Sequence, residues 1–166
     1  MSLFRAAPSL GFHPDTDDLD EARRLWPFVR EMIDRLLDDG RDYLIEGTCL
    51  LPADVAAVVG DSGGRMRSCF LGYAEIAVEQ KVDLIAVHAG GPQDWLSKHP
   101  AAYIRQQVER SCAMSVWLRD ECRRLGLAYF DTGPDHLAAI EAAGAYLVEG
   151  RIPSPLAGEG GGEAAG

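Results

Sequence analysis

Glu46 closes a short apolar run, Tyr43-Leu44-Ile45-Glu46-Gly47, that reads as a buried β-strand. A carboxylate at the carboxyl end of such a strand stands at the rim where open α/β sheets bind ligands. There it can hold Mg²⁺ through water, or accept a proton from a substrate hydroxyl. The ordinary alternative is a solvent-facing glutamate that ends a strand.

The loop Gly60-Asp61-Ser62-Gly63-Gly64 spells the sequence found around the nucleophile of chymotrypsin-like serine proteases. That chemistry needs a histidine base and a buried aspartate orienter, both placed by β-barrels built ahead of the serine. Here His13 is the sole upstream histidine and the strongest elements are helical. The loop therefore reads as a flexible surface turn. It is also a poor phosphate cradle, because Arg65 follows it where a Lys-Ser or Lys-Thr is needed, and G-x-x-x-x-G-K-[ST] occurs nowhere in the chain. His88, His99 and His136 have no metal-ligand spacing with the cysteines, which argues against zinc.

The elements that must carry these residues follow from periodicity. Leu25, Trp26, Val29, Met32, Ile33, Leu36 and Leu37 recur at helical spacing within 19–39, and Gly40 suits the end of that helix. Pro27 is discordant and points to a helix that starts at Trp26 with Pro27 in its first turn. Residues 52–59 read as a short helix and 66–71 as a strand. The stretch 74–89 fits a helix, although 82–87 alone could be a buried strand. Ile104, Val108, Cys112, Ser115, Leu118, Cys122 and Leu125 mark a long helix over 100–125 that Gly126 stops. Residues 127–130 then form a third strand, and 134–147 a last helix. Helices alternating with short apolar strands predict a parallel sheet flanked by helices.

Composition narrows the possible partners. The chain has 166 residues, 47% apolar and 25% charged, enough for one domain with a core. A net charge of −10 repels DNA and RNA, so no nucleic-acid partner is expected. No apolar run is long enough to span a membrane, and the first residues lack a secretory pattern. Cys49, Cys69, Cys112 and Cys122 show no C-x-x-C spacing, which fits reduced thiols and a cytoplasmic location. Residues 157–166 contain only Gly, Ala and Glu, so 150–166 reads as a disordered tail behind a single domain over 1–149.

Four segments together resemble a family of bacterial small P-loop kinases, the adenylate-kinase-like ATPases. They are Gly11-Phe12-His13-Pro14-Asp15-Thr16, Tyr43-Leu44-Ile45-Glu46-Gly47 with Leu50-Leu51-Pro52, Asp94-Trp95-Leu96, and Tyr129-Phe130-Asp131-Thr132. The helix ending Arg119-Asp120-Glu121-Cys122 matches as well, and the likeness runs from about Arg5 to Val148.

The resemblance implies a three-layer α/β fold with a parallel sheet, ATP and Mg²⁺ as cofactors, and phosphoryl transfer to a small acceptor molecule. It makes Glu46 a magnesium or base position. It puts Arg105 and Arg110 in the lid region, where a guanidinium can neutralise the transferring phosphate. Otherwise they are exposed helix arginines, with Arg105 pairing Glu109 at i+4. Asp131 and Thr132 match the loop that approaches adenine, where Thr132 could equally be a helix N-cap. His13 and Asp15 fall where acceptor-binding elements lie. The family's first strand, phosphate loop and first helix have no counterpart before Arg5, so an incomplete copy of the fold is expected. The rival readings are a non-catalytic binding or regulatory remnant, and a sheet completed by a partner chain.

Overall fold

The computed structural model describes residues 18–91 and 94–149. His13, Asp15, the 11–16 segment of the kinase resemblance and the tail 150–166 lie outside the described residues. In chain order the elements are α1 (Asp18–Asp39), α2 (Pro52–Asp61), β1 (Cys69–Gly72), α3 (Val78–Val87), a 3₁₀ turn (Leu96–Lys98), α4 (Ala101–Leu125), β2 (Ala128–Asp131) and α5 (His136–Glu149). The described residues form two compact units, one of 18–68 together with Asp120–Leu127, the other of 69–91 and 94–119 together with 128–149.

The expected three-layer P-loop kinase-like sheet is not present among the described residues. Among the described residues the sheet has two strands, β1 and β2, and helices dominate. The run Tyr43-Leu44-Ile45 is irregular backbone, with Tyr43 46% and Leu44 79% exposed. Three apolar residues bury too little surface to hold a strand alone. The Tyr43 hydroxyl instead bonds the Asp39 carboxylate at the end of α1.

In the first unit, Ala22 and Ile33 of α1, Pro52, Val55 and Val58 of α2, and Cys122 are buried. α1 does not start at Trp26: it runs unbroken from Asp18 through Pro27. Proline there deletes the bond to the Arg23 carbonyl, and the helix persists because its apolar stripe is anchored on both sides of the gap. Gly40, at φ 68°, supplies the left-handed residue after the helix. Ser62 is not on a flexible turn. It is 3% exposed and caps α2, its hydroxyl donating to the Val59 carbonyl at 2.7 Å and accepting the Met66 amide at 3.3 Å. Arg65 donates to the Ser62 and Leu37 carbonyls, which ties the ends of α1 and α2 together. At the end of α4, Leu127 N–H bonds the Cys122 carbonyl and Gly126 N–H the Arg123 carbonyl, the pair of bonds that closes a Schellman stop.

In the second unit, β1 and β2 run parallel in the register Cys69 to Ala128, Phe70 to Tyr129, Leu71 to Phe130 and Gly72 to Asp131. α5 packs on both strands through Ala139 and Ala143, and Tyr146 meets Phe130 with ring centroids 5.9 Å apart. Phe70, Ile76, Val108 and Ala128 are buried, with Ser115. Residues 82–87 are helical, as part of α3.

Candidate functional site at the carboxyl ends of the strands

Parallel strands deliver their following loops to one edge, so residues 72–77 after β1 and 131–135 after β2 meet there. Asp131 stands between them. Its Oδ2 accepts the Ala74 amide at 2.8 Å and the Tyr129 hydroxyl at 3.3 Å, and its Oδ1 accepts the Gly133 amide at 2.9 Å. Thr132 continues the ladder, its amide donating to the Gly72 carbonyl at 2.7 Å and its hydroxyl to the same oxygen at 2.9 Å. Carboxylate and hydroxyl together sew the two loops to each other.

Two glycines make this possible. A Cβ on Gly72 would stand 2.5 Å from the Tyr129 hydroxyl oxygen. A Cβ on Gly133 would stand 2.9 Å from Asp131 Oδ1 and 3.1 Å from the Ile76 Cβ. Contacts under 3.0 Å essentially never occur at a real Cβ, so a side chain at either position would force Tyr129 or Asp131 to shift.

Burial pushes the Tyr129 phenol well above its ordinary range, and the negative charge of Asp131 adds to the shift. The neutral phenol is thereby kept as a donor to the carboxylate. Nearby in the same unit, Lys81 Nζ lies 4.3 Å from the centroid of the Tyr73 ring. Burial also raises the Cys112 thiol, while the Lys81 charge pulls it the other way.

The other expected site residues are arranged differently. Glu46 is exposed, lies in irregular backbone rather than at a strand end, and belongs to the first unit. Arg105 pairs with Glu79 of α3 rather than chiefly with Glu109, and the bond lowers the Glu79 carboxyl while raising the Arg105 guanidinium. Arg110 is on the exposed surface of α4. Thr132 does not cap α5: Asp135 does, accepting the Ala138 amide at 3.0 Å. The structure thus gathers Asp131 and Thr132 into one cluster, holds Arg105 in a separate ion pair, and leaves Glu46 outside both.

Tyr129, Gly72 and Ala74 were missed by sequence reasoning. A signal existed for Tyr129, since residues two apart on a strand share a face and Tyr129 and Asp131 satisfy that spacing. Nothing in the sequence pairs Ala74 with Asp131.

Compared with known proteins, the chain matches no family model, no curated protein and no solved structure. Among the described residues no group of His, Cys, Asp and Glu could hold a metal ion, and no helix is long and apolar enough to cross a membrane.

Proposed function

We propose that the chain is a non-catalytic binding domain whose β–α–β unit is locked at its carboxyl edge and presented to a partner polypeptide. The observation that carries this reading is the use of Asp131: both carboxylate oxygens and the Thr132 hydroxyl proton are taken by the protein itself. A carboxylate spent on two backbone amides is suited to fixing loops, and less suited to a ligand that would have to displace them. A strand donated by a partner chain could also extend the sheet, since β1 and β2 pair only with each other among the described residues. The cysteines are unbridged thiols, which supports a reducing, cytoplasmic setting.

A second reading is phosphoryl transfer from ATP, with Mg²⁺, to a small acceptor. It is favoured by the place of Asp131 and Thr132, in the loop after a parallel strand where α/β sheets hold ligands, and by the kinase resemblance. By that resemblance Arg105 and Arg110 of α4, in the unit that holds Asp131 and Thr132, would act on the phosphates. His13 and Asp15 would bind the acceptor. Calorimetric titration of the full chain with ATP and Mg²⁺ separates the two. A binding domain gives no saturable heat, whereas saturable binding with slow ATP turnover would establish the second reading.

A further inference from the structure

α5 is apolar on two opposite sides. Its inner side, Ala139 and Ala143, is buried in a unit where the helix packs on both strands. Its outer side carries Leu137, Ile140, Gly144 and Val148, which fall in one narrow stripe at helical spacing. Leu137 is 73%, Ile140 41% and Val148 79% exposed, and a Cβ on Gly144 would meet nothing within 4 Å. A helix that is apolar all round is normally covered all round. A row of large side chains interrupted by an open glycine makes a shallow seat for side chains of a second helix.

The charges around the stripe select what can lie in it. Glu141 and Glu149 are exposed on the same helix, and Asp135 stands exposed at its start. The chain as a whole carries −10. Those carboxylates disfavour an anionic lipid surface and a second copy of this acidic chain. They favour an apolar helix edged with lysine or arginine.

We infer that the outer face of α5 is a docking surface for a basic amphipathic helix of a partner protein. This rests on reading the chain as a binding domain and names the chemistry of what it binds. Leucines of the partner lie along Leu137, Ile140 and Val148 with one seated at Gly144, and its cationic edge meets Glu141 and Glu149, which follow the stripe on one side.

The test uses the full chain and a synthetic peptide of leucine and lysine only, patterned for one helix the length of α5, titrated by fluorescence anisotropy. Saturable binding is expected. The double variant Leu137→Ser/Val148→Ser should weaken it by about tenfold or more, because two largely exposed apolar contacts are lost without disturbing the buried side. Glu141→Gln/Glu149→Gln should weaken it several-fold and flatten its salt dependence. A peptide of the same composition patterned for a strand should bind more weakly than the helical one. Absence of saturable binding would overturn the inference. So would equal affinity for the wild type and the serine variant, which would mean general charge attraction. A stable dimer of the chain that the serine variant converts to monomer would also overturn it, by showing that a second copy covers the face. These failures leave the binding-domain reading standing, whereas ATP turnover would sink that reading whatever the peptide does.

Discussion

The amide of Ala74 donates to Asp131 Oδ2 at 2.8 Å, joining residues 57 positions apart in the chain. Because Oδ1 of the same carboxylate holds the Gly133 amide, one side chain fixes the loops after both strands. Each bond to a charged acceptor contributes about 1.5–3 kcal/mol in favourable settings. For the pair β1 and β2, the two strands among the described residues, that is a large share of the stability, since such a pair is marginal unless something else braces it.

The phenol of Tyr129 sets an alkaline limit. Its folded pKa is raised above the ordinary 10.0, so the folded chain holds the phenolic proton more tightly than the unfolded chain does. The stability linked to it is intact below pH 10.0 and is lost as pH rises through the raised value. Unfolding followed by circular dichroism should show a loss of stability above that pH, and tyrosinate absorbance should show one phenol that ionises only as the fold opens. Tyr129→Phe should remove that part of the alkaline limb. An identical limb in the variant would mean that another group sets it.

Gly72→Ala should destabilise the chain by about 1–3 kcal/mol, the usual cost of forcing a methyl into a filled space. Here the new Cβ would lie 2.5 Å from the Tyr129 hydroxyl oxygen and 3.0 Å from its ring. The double variant Gly72→Ala/Tyr129→Phe should recover part of that loss, since only the hydroxyl contact disappears. Denaturant unfolding of the four proteins gives the coupling directly. Strict additivity would contradict the close approach.

Periodicity exposed the helices because an amphipathic stripe repeats over several turns, as in Ile104, Val108, Ser115 and Cys122 of α4, and because Gly126 could only be a stop. The strands were harder. Tyr43-Leu44-Ile45 and the run that became β2 look alike as short apolar segments, but only β2 has a partner, and pairing is a long-range choice that no local pattern records. The three-layer sheet failed for that reason. Asp131 and Thr132 were legible as turn residues after a strand, yet their contacts reach back to Gly72 and Ala74, which sequence spacing does not reveal. Arg105 had Glu109 at i+4 within easy reach of a sequence argument, but α3 brings Glu79 closer.

Pro27 is exposed inside α1, where it removes one helix bond. Pro27→Ala should restore that donor and raise the unfolding free energy by roughly 1–3 kcal/mol, within the penalty of about 3 kcal/mol for an interior proline. Thermal unfolding checks the direction. A lower midpoint in the alanine variant would mean that the proline relieves a clash or rigidifies the unfolded chain more than it costs the helix.

The structural role of Asp131 is tested most directly by the thermal midpoints of the wild type and Asp131→Asn, each with and without ATP and Mg²⁺. The asparagine keeps the shape but turns one acceptor into a donor that faces a backbone amide, which costs about 1–3 kcal/mol for an unsatisfied group. A midpoint lower by roughly 3–10 °C is expected in the variant if Asp131 is structural, with no change on adding nucleotide to either protein. Equal midpoints without nucleotide, with ATP and Mg²⁺ raising that of the wild type alone, would contradict that role and make Asp131 a ligand-binding residue.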